Sequence, residues 1–270
     1  MPILTLYFQL HQPYRLNPDR NTFLWDDLNK EIFFKVASKC YLPAITMFGE
    51  LISGHKGFKI TLGMSGTFLE QAEQYAPEVI VALQRLYDAG NNEFRQVEYL
   101  DETYYHSLTS LFADPEKKEF RDQVSLHRDK VRNLFGIKPA SFRNTELMFN
   151  TEIASAVSDM GYKAILCEQR DDMFGGTDQP ISPNAVFKAR DNNLVVIPRN
   201  RDLSDDIAFR FSHKPLTPDE YASYIARIDG EAVMLGYDFE HIGEHIWEDT
   251  GIFDFWRGLP AALEKHESIV

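Results

Sequence analysis

Apolar residues fall into short dense runs, separated by longer stretches where they recur every three to four positions. That alternation is the one expected of a parallel sheet with crossover helices. Residues 3–10 read as a first strand, and residues 27–53 have helical spacing with a break expected near Pro43. Residues 58–62 predict a second strand, ended by Gly63 to Gly66, and residues 67–88 a helix stopped at Ala89 and Gly90. A third strand is expected at 94–100, a charge-rich helix at 114–133 closed by Gly136, and a fourth strand at 140–146. Asn150 caps the next helix, and residues 163–168 form a fifth strand. Residues 171–184, rich in Gly, Asp and Pro, read as a loop. A sixth strand is expected at 194–198. Thr217 and Pro218 then open a helix running to about residue 228. Residues 231–237 give a seventh strand, with a short helix after it.

Seven parallel strands with intervening helices suggest an α/β protein built as a (β/α)7 barrel, a distorted or incomplete barrel of the triosephosphate-isomerase type. An open doubly wound sheet is the alternative that pattern alone leaves standing. No Gly-x-Gly-x-x-Gly follows the first strand, which weakens a dinucleotide-binding reading. No Pro/Gly/Ser-rich linker or internal repeat divides the chain, so residues 1–270 are expected to form one domain.

Composition narrows the partners. A net charge of −13 disfavours nucleic acid and anionic membrane surfaces and leaves a neutral substrate as the natural partner. The two cysteines, Cys40 and Cys167, make neither a disulfide framework nor a zinc knuckle. A reduced, cytoplasmic setting is expected. The start of the chain shows no basic region or cleavage site of a signal peptide, and no apolar run approaches the ~20 residues that span a bilayer.

In a parallel barrel the chemistry sits at the C-terminal ends of the strands. Here those ends carry His11-Gln12-Pro13, Asp101 and Glu102 with His106 beyond them, Arg143 to Glu146, Glu168, Arg199 to Asp206, and Asp238 to His241 with Trp247 beyond. Carboxylates and aromatics therefore gather on one rim. Glycoside hydrolysis needs such a pair of carboxyl groups, one ionised and one protonated, and aromatic faces suit sugar rings. Some of these carboxylates are expected only to cap helices or to pair with Arg143 and Arg199. His241-Ile242-Gly243-Glu244-His245 matches the H-x-x-E-H zinc pattern, which needs both histidines on one helical face. Gly243 and the preceding strand run argue for a loop instead. His127, His213 and His266 read as surface histidines, and the charge run at Glu116 as a solvated helix face.

Four segments, in order and each at a strand end, resemble glycoside hydrolase family 57, the α-amylase and 4-α-glucanotransferase group. They are His11-Gln12-Pro13; Gln96 to Leu100 with Tyr104-Tyr105-His106; Phe142 to Leu147; and Tyr237 to Trp247. The resemblance implies a seven-stranded barrel and a retaining, metal-free double displacement with Glu146 as nucleophile and Asp238 as general acid/base. It further implies that His11, Glu98 and His106, with Gln12, Glu240 and His241 of the same segments, bind substrate, and that Trp247 and Trp25 are stacking platforms. Family members usually continue past the barrel into a helical region, whereas this sequence ends shortly after Asp238. Hydrolysis and glucanotransfer are equally compatible with these segments. The competing readings are a non-catalytic glucan-binding protein and a metal-dependent deacetylase- or mannosidase-like barrel. For the latter, Asp205-Asp206 is present, but His11-Gln12-Pro13 is not a His-x-Asp metal pair, and the His-x-x-x-His spacing of His241 and His245 falls in the run that reads as a loop.

Overall fold

The computed structural model describes residues 2–18, 23–169 and 182–267. The strands are β1 (Ile3–Leu10), β2 (Ile60–Met64), β3 (Val97–Tyr99), β4 (Ser141–Arg143), β5 (Ala164–Cys167), β6 (Phe187–Lys188), β7 (Val195–Pro198) and β8 (Ala232–Asp238). They pair in two runs, β3-β2-β1-β8 and β4-β5-β7-β6. Single parallel bridges, Asp101 to Phe142 and Arg199 to Met234, connect the runs at both seams. Seven parallel strands thereby close into a (β/α)7 barrel. All seven are the strands expected from the sequence. β6 was not expected: it is two residues long, antiparallel to β7, and too short to carry a pattern.

Helices α1 (Asp26–Val36) and α2 (Leu42–Gly54) follow β1, while α3 (Gly66–Tyr75) and α4 (Pro77–Gly90) follow β2. Next come α5 (Lys118–Phe135) after β3 and α6 (Thr151–Asp159) after β4. After β7 come α7 (Arg201–Ala208) and α8 (Pro218–Ala226), and α9 (Ile252–Leu263) follows β8. Prolines explain two departures from expectation. The chain does not break at Pro43. A π-helical turn over Ala37–Tyr41 carries it into α2, whose first turn holds the proline where its missing N–H needs no partner. The expected single helix at 67–88 is instead split by Pro77, which forces Ala76 out of helical geometry (φ −144°). The predicted loop at 171–184 lies largely outside the described residues.

Strand β1 sets the two layers of the core. Leu6, Phe8 and Leu10 face the helices, and Tyr7 and Gln9 alternate to the barrel interior. Phe8 is fully buried against the rings of Phe48, Tyr237, Phe239 and Trp256, at centroid distances of 5.0, 5.5, 5.9 and 5.1 Å. Burying one such side chain contributes about 1.5–3 kcal/mol. Inside the barrel, Tyr7, Leu100, Leu147, Leu166 and Met234 form a small apolar plug beneath the C-terminal rim. Gly63 makes room for it: a Cβ there would lie 2.5 Å from the Tyr7 hydroxyl and 2.7 Å from Gln9 Oε1. Cys40 and Cys167 are both buried and unbridged.

Candidate active site

Above the plug, a cavity of about 290 Å3 opens at the C-terminal rim. Its wall includes Glu146, Glu168, Asp205, Asp238, Arg143, Arg199, Phe209 and His241. A larger cavity of about 890 Å3 lies at the opposite end of the barrel, lined by Ile3, Leu4, Phe58 and Phe94 with the end of α9. Its charged residues (Lys56, Lys59, Glu93, Glu264 and Glu267) lie around an apolar lining at the N-terminal end of the strands, whereas chemistry in such a barrel sits at the C-terminal ends, so the smaller cavity is the candidate site.

Glu146 sits in a short 3-10 turn directly after β4, with its backbone left-handed (φ 56°) and its side chain 69% exposed. Such a conformation costs a non-glycine residue about 1–3 kcal/mol, and the surroundings must impose it. The flanking residues are braced accordingly. The Asn144 amide donates to Ser110 Oγ and the Met148 carbonyl, both at 2.9 Å, and the Thr145 hydroxyl meets that of Thr103 at 2.8 Å. His106 Nε2 lies 3.5 Å from the Glu146 carboxylate. That contact, and then the Arg143 guanidinium, hold the Glu146 pKa below its ordinary value against the opposing effect of burial.

Behind Glu146 lies a buried polar layer. His106 Nδ1 is 3.3 Å from Glu102, whose other oxygen accepts from the Gln9 amide at 2.9 Å. Burial alone would raise the Glu102 pKa, but His106, Arg143 and His127 outweigh it and bring it down to about 2. His11 stacks on His106 with centroids 4.1 Å apart and bonds Ser65 Oγ through Nδ1. Burial, then the neighbouring His106 ring, push the His11 pKa down to about 4, so the ring is neutral at neutral pH.

Asp238 ends β8 and is exposed on the same cavity. His241 Nδ1 donates to the Asp238 carbonyl at 3.1 Å, and burial lowers its pKa. The bare Nε2 of this neutral ring is free to accept a hydroxyl proton. The edge of the Phe209 ring system packs on His241 at 5.7 Å and 81°, and Phe209 itself is 67% exposed over the cavity. Arg199 spans the floor, donating to Asp205 at 2.7 Å, Gly236 O at 3.0 Å and Glu168 at 3.4 Å. Burial raises the Glu168 pKa, and Arg199 opposes the shift.

The expected site residues thus divide. Glu146, Asp238 and His241 line the cavity, while His106 and His11 back it. Gln12 is buried instead in the packing between β1 and the helices: it donates to the Tyr41 hydroxyl at 3.1 Å and accepts from Arg15. Glu240 is also buried, accepting from the Tyr41 hydroxyl at 2.5 Å and the His11 amide at 3.3 Å. Burial lifts its pKa to about 8, so it is a neutral acid behind the wall. Glu98 lies two residues before Leu100 of the plug and therefore below it. There it accepts from Ser141 Oγ at 2.7 Å, and Glu102 takes the place at the rim expected of Glu98. Trp247 is 62% exposed beside the Lys39 ammonium and is not on the cavity wall. Trp25, half exposed, precedes α1. Glu102 stands at the strand end where the sequence placed it on the rim, whereas Gln9 and Phe209 were not expected at the site. His127, expected at the surface, is fully buried and bonds Asp101 at 2.9 Å and Met64 O at 2.7 Å. Residues 239–245 form turns, with Gly243 at φ 105°, so His241 and His245 do not share a helical face and the zinc pattern is not met.

Comparisons with known proteins identify the family. The model of glycosyl hydrolase family 57 covers residues 5–270. The chain belongs to this family. A protein of Methanocaldococcus jannaschii named "Putative alpha-amylase" is 40% identical over 280 residues, covering 99% of this chain and 57% of that protein. The 4-alpha-glucanotransferase of Thermococcus litoralis superposes with a TM-score of 0.71 at 19% identity, over 99% of this chain and 38% of its own. A family 57 branching enzyme from Thermococcus kodakaraensis gives 0.69 at 14% identity, over 98% and 68%. The chain spans a little over half the length of the curated relative it matches. Among the described residues, no helix is long and apolar enough to cross a membrane.

Proposed function

We propose that this chain is a retaining α-glucan-active enzyme, hydrolysing or transferring glucan segments by double displacement. Glu146 is the nucleophile, Asp238 the general acid/base, and residues 1–270 act as one catalytic barrel domain. The observation that carries this reading is the pairing of two carboxylates on one cavity wall at the catalytic rim, one tethered and held ionised, the other exposed to solvent. In the first step Glu146 attacks the anomeric carbon while Asp238 protonates the departing glycosidic oxygen. The resulting glycosyl ester is then opened by water or by an acceptor sugar hydroxyl, whose proton Asp238 takes back. His241 lines this cavity, where it supports hydrogen bonding to a sugar hydroxyl; His11 and His106 stand behind Glu146, and Arg199 fixes the floor. The names of the family relatives, an amylase and glucan transferases, favour an α-glucan as substrate. Net charge −13 and two buried, unbridged cysteines agree with a neutral substrate in a reducing cytoplasm, without nucleic acid or membrane as partner.

Incubation with maltoheptaose tests the proposal. Shorter products alone identify a hydrolase, and a ladder extending above the starting length identifies a transferase. Glu146→Gln and Asp238→Asn are each expected to lose activity by about 10²-fold or more. Wild-type protein inert on both linear and branched glucan would sink the reading in favour of a binding role.

A further inference from the structure

We propose that His106 is a positioning residue for Glu146, with Glu102 fixing the ring from behind, rather than a group whose main task is to hold a sugar hydroxyl. This rests on the assignment of Glu146 as nucleophile, and it follows from four observations. First, the two ring nitrogens of His106 are both engaged with carboxylates, Nδ1 with Glu102 at 3.3 Å and Nε2 with Glu146 at 3.5 Å. Two such acceptors are served together only by a ring carrying both protons. Second, Glu102 is fully buried and itself held by the Gln9 amide, so the ring is anchored to the barrel interior and not to a mobile surface group. Third, His106 and Glu146 both have left-handed backbones, at φ 53° and 56°. Strain on both partners of one contact marks a geometry that the fold enforces. Fourth, His11 stacks on His106 at 4.1 Å and stays neutral, so the stacked pair carries one charge, on the ring that faces Glu146.

The groups facing His106 are Glu102 from its own segment, Glu146 and Arg143 from the end of β4, and His11 from the end of β1. Arg143 Nη1 lies 3.4 Å from Nε2 and, among the described residues, is the cation that opposes protonation of the ring. The two carboxylates outweigh both it and burial, and the His106 pKa is raised. Loss of the imidazolium releases the carboxylate of Glu146 from its attack geometry and raises its proton affinity.

The test compares wild type with His106→Asn and Glu102→Gln. Asparagine tolerates the left-handed backbone but is too short to bridge, and glutamine keeps the shape of Glu102 without its charge. On maltoheptaose, His106→Asn should lower kcat by about 10²-fold, the size of effect that misplacement of a reacting group by about 1 Å produces. The acid limb of its kcat/KM profile should move to higher pH. Glu102→Gln should move the alkaline limb to lower pH, because the ring then loses its proton more readily. A rise in KM with kcat and both limbs unchanged would mean that His106 only holds sugar, and would overturn the proposal. A direct readout needs no turnover: the carboxyl 13C titration of Glu146 should shift upward in pH in His106→Asn. An unshifted titration also overturns the proposal, even if the protein proves inactive on glucans.

Discussion

The two carboxylates of the cavity are supported in opposite ways. Glu146 stands at the end of a chain of contacts three residues deep, through His106 and Glu102 to Gln9, and its turn is braced on either side by Asn144 and Thr145. Asp238 ends the longest-paired edge of β1, yet among the described residues its carboxylate makes no side-chain hydrogen bond or ion pair. Only its carbonyl is used, by His241. The contrast suits the two proposed tasks. A nucleophile must be ionised and aimed before substrate arrives, so rigid support lowers its barrier. An acid/base must give and regain a proton within each cycle, and an ion pair that fixed it in one state would slow one of the two steps.

The sharpest way to break this comparison is to remove the need for an acid. On an aryl α-maltooligosaccharide with a good leaving phenol, departure needs little protonation. There Asp238→Asn is expected to retain most of the glycosylation rate, seen as a burst of phenol, while still losing about 10²–10⁴-fold on maltoheptaose. Glu146→Gln should show neither burst nor turnover on either substrate. Equal losses for the two variants on the aryl substrate would erase the division of labour.

What the sequence disclosed follows the same line. The seven strands were readable because each is a dense apolar run bounded by polar residues; the strand ends marked Glu146 and Asp238 only as two of several rim carboxylates, and the resemblance to family 57 singled them out. Height within the barrel was not readable. Glu98, Leu100 and Glu102 alternate onto the same face, so periodicity marks all three as interior without saying which lies above the plug. With β3 only three residues long, counting from the strand end could not decide it. His127 is different, because the signal was present. Phe120, Val124, His127 and Val131 form one buried helical stripe on α5, and the charged residues around them concealed it. Phe209 was missed because α7 itself was: half of its eight residues are charged, and only Ser204, Ile207 and Ala208 are buried.

His127 also extends the comparison from the wall to its foundation. Its shorter contacts, to the Asp101 carboxylate and the Met64 carbonyl, are both to acceptors, which calls for a buried imidazolium; the Glu102 amide is a longer neighbour at 3.4 Å. Burial alone would lower the His127 pKa, but Asp101 and Glu102 prevail and raise it. Asp101 in turn accepts from Tyr162 at 2.7 Å, and its backbone bridges β3 to β4 at the seam below Glu146. With the folded pKa above the unfolded one, the stabilisation is fully present below about pH 6.5. It is lost as pH rises through the raised folded value. His127→Gln should therefore destabilise the protein by roughly 3–5 kcal/mol in urea melts at pH 6, the scale for breaking a buried pair, and by progressively less in alkaline buffer. A penalty independent of pH would show that His127 is held neutral.

Phe209 carries the smallest and most selective effect. It lines the same cavity as Glu146 and Asp238, at the end of a short helix, with one edge contact to His241 to orient it. Being exposed, it contributes little to the core, so Phe209→Ala should leave the thermal midpoint nearly unchanged. Its open face is available to a sugar ring, and losing one aromatic contact of about 1 kcal/mol corresponds to about a fivefold change in binding. The expected result is a KM for maltoheptaose raised severalfold with kcat almost intact, and recovery in Phe209→Trp. A fall in kcat instead, at constant KM, would mean that the ring works through His241 on the Asp238 backbone. The two halves of the site would then be less unequal in their support than the static contacts indicate.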